Sequence, residues 1–282
     1  MTEVHILVTG ANGQLGLTFK DVERAANETY VFVDKEELDI TNKGALHAFF
    51  SKHNFKYCIN CAAYTNVEQA ETDRDTAFLI NAEGAKYLAE VCSEFNTTLI
   101  HISTDYVFDG TKTTPYLETD SKAPINVYGA SKLQGEQYVT EILSHHFVIR
   151  TSWLYSKYGK NFLKTIARKV EEDADLKITT AEVGTPTSCV DLADFVMHIM
   201  RTENINYGTY HFSNDGKATW YDFGVEIAKG YTDYNIDKIT PVAAFKTQAQ
   251  RPKYSVMDKS KIPNAFRRDW KVSLKRVIAN LE

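Results

Sequence analysis

Four cysteines in 282 residues are too few for a disulfide framework, the device by which small extracellular scaffolds replace a core they cannot build. Cys58 and Cys61 do form a C-x-x-C, within FKYCINCAAY. That run reads as a buried strand, where positions three apart face opposite ways. It offers neither the helix N-terminus of a redox pair nor the second cysteine pair of a metal site, so ordinary core cysteines are expected. Long apolar runs are also lacking, and none approaches the roughly 18 residues of a membrane span. The opening MTEVHILVTGANG has no basic leader ahead of an apolar stretch and a small-residue cleavage site, so a cytoplasmic location is expected. Positive charge is not in excess either. A formal net charge of -5 disfavours nucleic acid or an anionic membrane as a partner. The basic cluster Arg267, Arg268, Lys271, Lys275 and Arg276 suits the solvated face of a terminal helix. Repeats, low-complexity tracts and linkers rich in glycine, proline or serine are absent.

What the chain does have is apolar material, 43% of its residues, enough for a sizeable core. Its first half alternates short β-rich runs with helical patterns. HILVTG precedes a helix from Gln14 to about Arg24, and YVFVD one around Lys43 to Phe50. YCINCAA precedes a longer helix from about Asp75 to Phe95, TTLIHIS one from about Tyr128 to Leu143, and HFVIR closes the series. Buried strands with intervening helices predict an α/β fold, a Rossmann-type doubly wound parallel sheet with its ligand site beyond the carboxyl ends of the strands. The second half is less regular. Helices around 161–170 and 190–200, strands LKITT and GTYHFS, a helix near Trp220 and a terminal one from Ser273 suit a smaller α/β substrate-binding lobe. Residues 1–150 are expected to form the dinucleotide-binding domain, with part of 175–215 returning to it, and 151–282 mainly the second lobe.

After the first strand comes Gly10-Ala11-Asn12-Gly13-Gln14-Leu15-Gly16. Glycines let the backbone turn tightly and keep Cβ atoms away from a pyrophosphate, while the following helix N-terminus offers free N–H groups. A ligand-free tight turn is the plainer alternative, but strand before and helix after favour a dinucleotide. Asp34 ends the second strand about 20 residues on, where an acid can bind the adenine ribose. That favours NAD, whereas the adjacent Lys35 can neutralise a 2′-phosphate and leaves NADP open. Asp39 and Ile40 can flank the adenine, or simply occupy a solvated loop. After the third strand, Ala62, Ala63, Tyr64 and Thr65 permit either close approach of a flat ligand or tight helix-sheet packing.

The fourth strand ends Ser103-Thr104-Asp105-Tyr106, and Tyr128-Gly129-Ala130-Ser131-Lys132 opens the next helix. Tyr128 and Lys132, four apart, share a helix face. An ammonium beside a phenol is expected to lower its pKa from about 10, making Tyr128 a proton donor to a carbonyl oxygen as hydride reaches its carbon. Lys132 can also hold the nicotinamide ribose, and the Thr104 hydroxyl can bond the developing alkoxide. A Y-x-x-x-K alone is as readily a surface pair; the threonine and the glycine loop favour catalysis.

With these motifs the sequence resembles the extended short-chain dehydrogenases, and among them the dTDP-4-dehydrorhamnose reductase family, over nearly the whole chain. The likeness runs through GQLG (13–16), STDYVFDG (103–110), NVYGASKLQGE (126–136), RTSWLY (150–155), GKNF (159–162), GTPTS (184–188) and RPKYS (251–255). It implies reduction at C4 of dTDP-4-dehydro-L-rhamnose by NADPH or NADH, giving dTDP-L-rhamnose for cell-surface polysaccharide. The family's catalytic set falls on Thr104, Tyr128 and Lys132. Its cofactor contacts fall on Gly13, Gln14, Leu15, Asp34, Asp39, Ile40, Ala63, Tyr64 and Thr65, and its sugar-nucleotide contacts on Asp105 and Trp153, beside Tyr106. An aromatic face such as that of Trp153 packs on apolar sugar or base surface, although a core tryptophan is the alternative. Some members hold Mg²⁺ at a dimer interface through a glutamate where this chain has Thr18, a poor ligand for a hard cation. No metal is therefore expected, and a homodimer is left open. Other sugar-nucleotide epimerases or dehydratases, and non-catalytic relatives that bind NAD(P), share the scaffold. A dehydratase needs a carboxylate pair beside the threonine where Asp105-Tyr106 supplies one acid, and a pure binder has no use for Tyr128.

Overall fold

The computed structural model describes residues 5–23 and 29–281. β1 (His5–Thr9) turns into α1 (Gln14–Glu23); the expected extension of that helix to Arg24 lies outside the described residues. β2 (Thr29–Val33), α2 (Lys43–Phe50) and β3 (Phe55–Asn60) follow. The helix expected from about Asp75 is built from α3 (Val67–Ala70), α4 (Arg74–Phe78), a π-helical turn (Leu79–Glu83) and α5 (Gly84–Glu94). β4 (Thr98–Thr104) runs into a 3₁₀ turn (Asp105–Val107), and α6 (Val127–Ile142) leads to β5 (His146–Thr151). Beyond it come β6 (Leu154–Tyr155), α7 (Phe162–Glu171), β7 (Leu176–Thr179), β8 (Val183–Gly184), β9 (Thr187–Ser188) and α8 (Cys189–Arg201). β10 (Gly208–His211), β11 (Ala218–Thr219), α9 (Trp220–Ala228), β12 (Ile239–Val242) and α10 (Trp270–Ile278) complete the chain.

Six strands form one sheet in the order β10-β5-β4-β3-β1-β2, with every neighbouring pair parallel. The chain leaves β1 for β2 on one side and then crosses to β3 on the other. Crossovers from β1 thus diverge, opening a crevice at the strands' carboxyl ends. From the second half, α8 lies beside α1 and β10 extends the sheet, whereas β7 pairs with β12 away from it.

Alternation along the strands separates two cores. Ile6 and Val8 of β1, Ile100 of β4 and Ile149 of β5 point to the face covered by α1 and α8. Leu7, Leu99 and Val148 point to the opposite face, under α2, α5 and α6. Cys58 lies in the second of these cores; Cys61 packs against the first and is only half-buried, so just one of the pair is a plain core residue. A third core joins α7, α9 and α10 through Leu163, Phe223, Ile227, Trp270 and Leu274. Helix starts follow from side-chain caps: Asn42 Oδ1 accepts from Ala45 N (3.0 Å), Asn126 Oδ1 from Gly129 N (2.7 Å) and Asn161 Oδ1 from Lys164 N (3.0 Å).

α6 lies unusually close to its neighbours. At Gly135 a Cβ would come within 2.1 Å of the Asn81 carbonyl oxygen in the π-helical turn. One residue on, Glu136 meets Arg150 of β5 in a buried fork, Nε to Oε1 at 2.9 Å and Nη2 to Oε2 at 2.7 Å, and the Ser103 hydroxyl of β4 donates to the same carboxylate. This ion pair ties the helix to both strands at the height of the crevice. Removing one member leaves the other charged and buried. Glu136→Ala should therefore cost about 3–5 kcal/mol in denaturant unfolding, and a Glu136→Leu/Arg150→Met pair distinctly less.

Candidate active site

The turn after β1 has room for backbone only. Gly10 sits at φ 65°, and a Cβ there would lie 2.6 Å from Ala62 N; a Cβ at Gly16 would lie 2.5 Å from the Gly10 carbonyl oxygen. Gly13 N closes the turn on Gly10 O at 3.0 Å. α1 then begins with N–H groups that no preceding helical turn can satisfy. The Gln14 side chain is held from across the crevice, its Oε1 accepting from Asn161 Nδ2 (2.9 Å) and Ser156 Oγ (3.3 Å). The GKNF segment thus fixes the rim of the turn. A bare backbone cradle ahead of a helix N-terminus, with an acid at the end of β2, fits the pyrophosphate and ribose of a dinucleotide.

Beyond the sheet's carboxyl edge opens a cleft of about 680 Å³. Of the residues singled out from sequence, it brings together Gly13, Gln14, Leu15, Ala63, Thr65, Thr104, Asp105, Tyr106, Tyr128, Lys132 and Trp153. Gly10 and Gly16 form the turn behind it. Asp34 is occupied locally: Oδ1 accepts from Glu36 N (2.9 Å) and Glu37 N (3.2 Å), and Oδ2 accepts from Asn12 Nδ2. Asp39 Oδ1 accepts from Thr41 N (2.9 Å) and its hydroxyl (2.8 Å), and Ala62 N donates to Asn60 Oδ1 (3.2 Å). Tyr64 turns away, its hydroxyl donating to Asp73 Oδ2 at 3.1 Å. Ile40, expected beside the adenine, is a core side chain packed beneath α5, where Gly84 has no Cβ to exclude it.

The Tyr-Lys pair is placed by a close approach. A Cβ at Gly129 would meet the Tyr106 carbonyl oxygen at 2.2 Å, so the first turn of α6 lies directly on the turn after β4. Tyr128 then meets the Tyr106 ring edge-on, centroids 5.7 Å apart. Thr104 Oγ1 accepts from Tyr106 N (3.2 Å) and donates to Asp105 Oδ1 (3.2 Å). The expected acidification of the phenol is not found. Burial pushes Tyr128 up to about 12, opposed by its hydrogen bond with Thr104 and reinforced by Asp105. Lys132 Nζ instead donates to the Ile102 carbonyl at 2.6 Å, and burial pushes the lysine down to about 8. Desolvation outweighs the attraction that the spacing suggested.

Several residues joined the site that sequence had not assigned to it. Trp220 stacks face to face on Trp153, centroids 3.7 Å apart and planes within 8°. Trp153 holds φ 47°, and a Cβ at Gly184 would strike its ring at 2.6 Å, which accounts for the glycine of GTPTS. Arg251 binds Glu68 through Nη2, but its Nε is buried without a partner, as are Asp105 Oδ2 and Thr151 Oγ1 in the same cleft. Orphaned polar atoms around one space are what a polar ligand would satisfy. The Arg-Pro motif and the scarcity of tryptophan were the available signals; the distances involved were not.

A family profile described as "RmlD substrate binding domain" matches residues 4–282. The chain belongs to the RmlD substrate-binding-domain family. Within it, the chain is 36% identical to a dTDP-4-dehydrorhamnose reductase of Aggregatibacter actinomycetemcomitans, over 98% of this chain and 99% of that one. Two crystal structures of dTDP-4-dehydrorhamnose reductases superpose with a TM-score of 0.93. One is from Clostridium acetobutylicum, at 40% identity over 99% of both chains. The other, from Bacillus anthracis, is in complex with NADP, at 37% identity over 99% of this chain and 100% of that one. Thr18 donates its hydroxyl to Gln14 O at 2.8 Å. Among the described residues no group of three or more His, Cys, Asp or Glu is arranged to hold a metal ion. No helix among them is long and apolar enough to cross a membrane.

Burial pushes Asp105 up to about 7 against hydrogen bonds from Ser255 and Thr104. Between the ordinary carboxylate range and pH 7 the folded protein therefore keeps a proton that the unfolded chain has released. The group's contribution to stability falls as pH rises through that window. Asp105→Asn should leave the melting temperature near wild type at pH 4 and raise it by at least about 2–4 °C at pH 8, read in paired thermal melts.

Proposed function

We propose that this protein reduces the C4 keto group of dTDP-4-dehydro-L-rhamnose to dTDP-L-rhamnose with NADPH or NADH. The observation that carries the reading is the meeting of Thr104, Tyr128 and Lys132 with the bare glycine turn in a single cleft. Gly10, Gly13, Gln14, Leu15 and Gly16 would cradle the pyrophosphate, Asp34 the adenine ribose, and Ala63 and Thr65 the side facing β3. A reduced nicotinamide bound there supplies hydride to the ketone carbon. Tyr128 keeps its proton at rest because burial opposes the phenolate. It surrenders that proton to an alkoxide, a far stronger base, as the oxygen gains charge. The Thr104 hydroxyl is adjacent and can donate to the same oxygen. Arg251, with its free Nε, suits the substrate diphosphate, and the Trp153–Trp220 stack offers an aromatic surface to the nucleoside or sugar.

Oxidation of NADPH or NADH, followed by absorbance with dTDP-4-dehydrorhamnose, tests the assignment. Tyr128→Phe should lower kcat by about 10²–10⁴-fold while NADP binding persists. Undiminished turnover in that variant would remove the phenol from the mechanism. An inert wild type that carries tightly bound NAD would point to an epimerase.

A further inference from the structure

Behind the cleft, one rank of side chains crosses the sheet. Thr9 of β1 is in register with Asn60 of β3, and Asn60 with His101 of β4. All three are buried, as is Lys132 of α6, which lies next to His101. Parallel strands in this register bring the side chains within bonding distance across the middle of the sheet. Thr9 Oγ1 donates to Asn60 Oδ1 at 2.8 Å, Asn60 Nδ2 lies 3.1 Å from His101 Nδ1, and His101 Nε2 lies 3.4 Å from Lys132 Nζ.

Hydrogen positions along this row follow by elimination. Asn60 Oδ1 also faces the backbone N–H of Ala62, which can only donate, so the amide cannot be flipped. Asn60 Nδ2 must then be the donor to His101 Nδ1. Burial and the neighbouring Lys132 hold His101 well below the usual imidazole range, so its ring is neutral. A neutral ring that accepts at Nδ1 carries its proton on Nε2, aimed at the lysine nitrogen. Lys132 has one N–H committed to the Ile102 carbonyl. An ammonium would set donor against donor at His101, whereas an amine would meet it with a lone pair.

We propose that Asn60 and His101 are positioning residues for Lys132: the fixed amide selects the imidazole tautomer, and the imidazole N–H, aimed at the lysine nitrogen, favours loss of a proton from that lysine. The inference rests on Lys132 belonging to the reductive site, and it makes that residue a readier proton donor before ligands arrive. Other groups facing Lys132 do not supply this selection. Glu136, on the same helix, favours the ammonium but is already paired with Arg150 of β5. The Cys61 thiol, after β3, also favours it. Tyr128 lies one turn away on α6 and is itself neutral, and His146 of β5 acts on His101.

Nitrogen-15 NMR of the full chain tests this without turnover, so the result stands apart from the fate of the reductase assignment. The His101 ring, assigned by through-bond correlation to its own backbone, should be neutral with its proton on Nε2 from pH 6 to 8. A proton on Nδ1 would overturn the proposal, even if no variant folds. Asn60→Asp exchanges a donating amide for an accepting carboxylate. The ring proton should move to Nδ1, and the Lys132 Nζ titration midpoint should rise by about one to three pH units. A folded variant with the proton moved and the lysine midpoint unchanged would refute the link between ring and lysine. In active enzyme, the alkaline limb of kcat/KM should move in the same direction as that midpoint.

Discussion

The buried fork between Glu136 and Arg150 sets the height and tilt of α6 against the sheet, and the rest of the site takes its coordinates from that helix. Glu136 is one turn beyond Lys132 and two beyond Tyr128, while Ser103, which shares its carboxylate, precedes Thr104. One ion pair therefore registers Thr104, Tyr128 and Lys132 against each other. A buried pair of this kind adds little net stability compared with a well-packed apolar replacement, because both charges must leave water. Its value here is directional: an apolar contact could slide, and a two-pronged guanidinium fork cannot. The approaches at Gly129 and Gly135 complete the constraint, since any side chain there would hold the helix off.

A helix held this tightly excludes water, and exclusion sets the chemistry. Tyr128, Lys132, His101 and Asp105 are all displaced toward their uncharged forms, each principally by burial. The resting site thus holds its charges weakly and is rich in directed dipoles and unpartnered polar atoms. Such an arrangement answers charge that develops during reaction more strongly than charge already present, because little solvent remains to screen it. Arg251 stands at the mouth with its charge intact, suited to an anionic ligand whose reacting end lies deeper.

A second consequence concerns how the halves of the chain cooperate. Asn161 and Ser156, well past the first five strands, hold Gln14 in the turn after β1, and Trp220 of α9 stacks on Trp153 just after β5. The cleft is therefore walled from both sides of the sequence. Its shape depends on contacts between segments more than 60 residues apart, in addition to the sheet.

Local pattern was enough to place the strands of the first half, the glycine turn and the Thr-Tyr-Lys set, because period, turn chemistry and capping act over a few residues. Asn42, Asn126 and Asn161 start their helices by bonding three residues ahead, so such boundaries are written in short stretches of chain. The same locality made Y-x-x-x-K suggest an acidified phenol. Spacing along a helix says which side chains share a face; it says nothing of how much solvent reaches them or which carbonyl captures an ammonium. Those outcomes, along with the Trp153–Trp220 stack, the partnerless Arg251 Nε and the Thr9-Asn60-His101 rank, arise only when distant segments meet. Desolvation and strand register are properties of the assembled body, and no short window of sequence contains them.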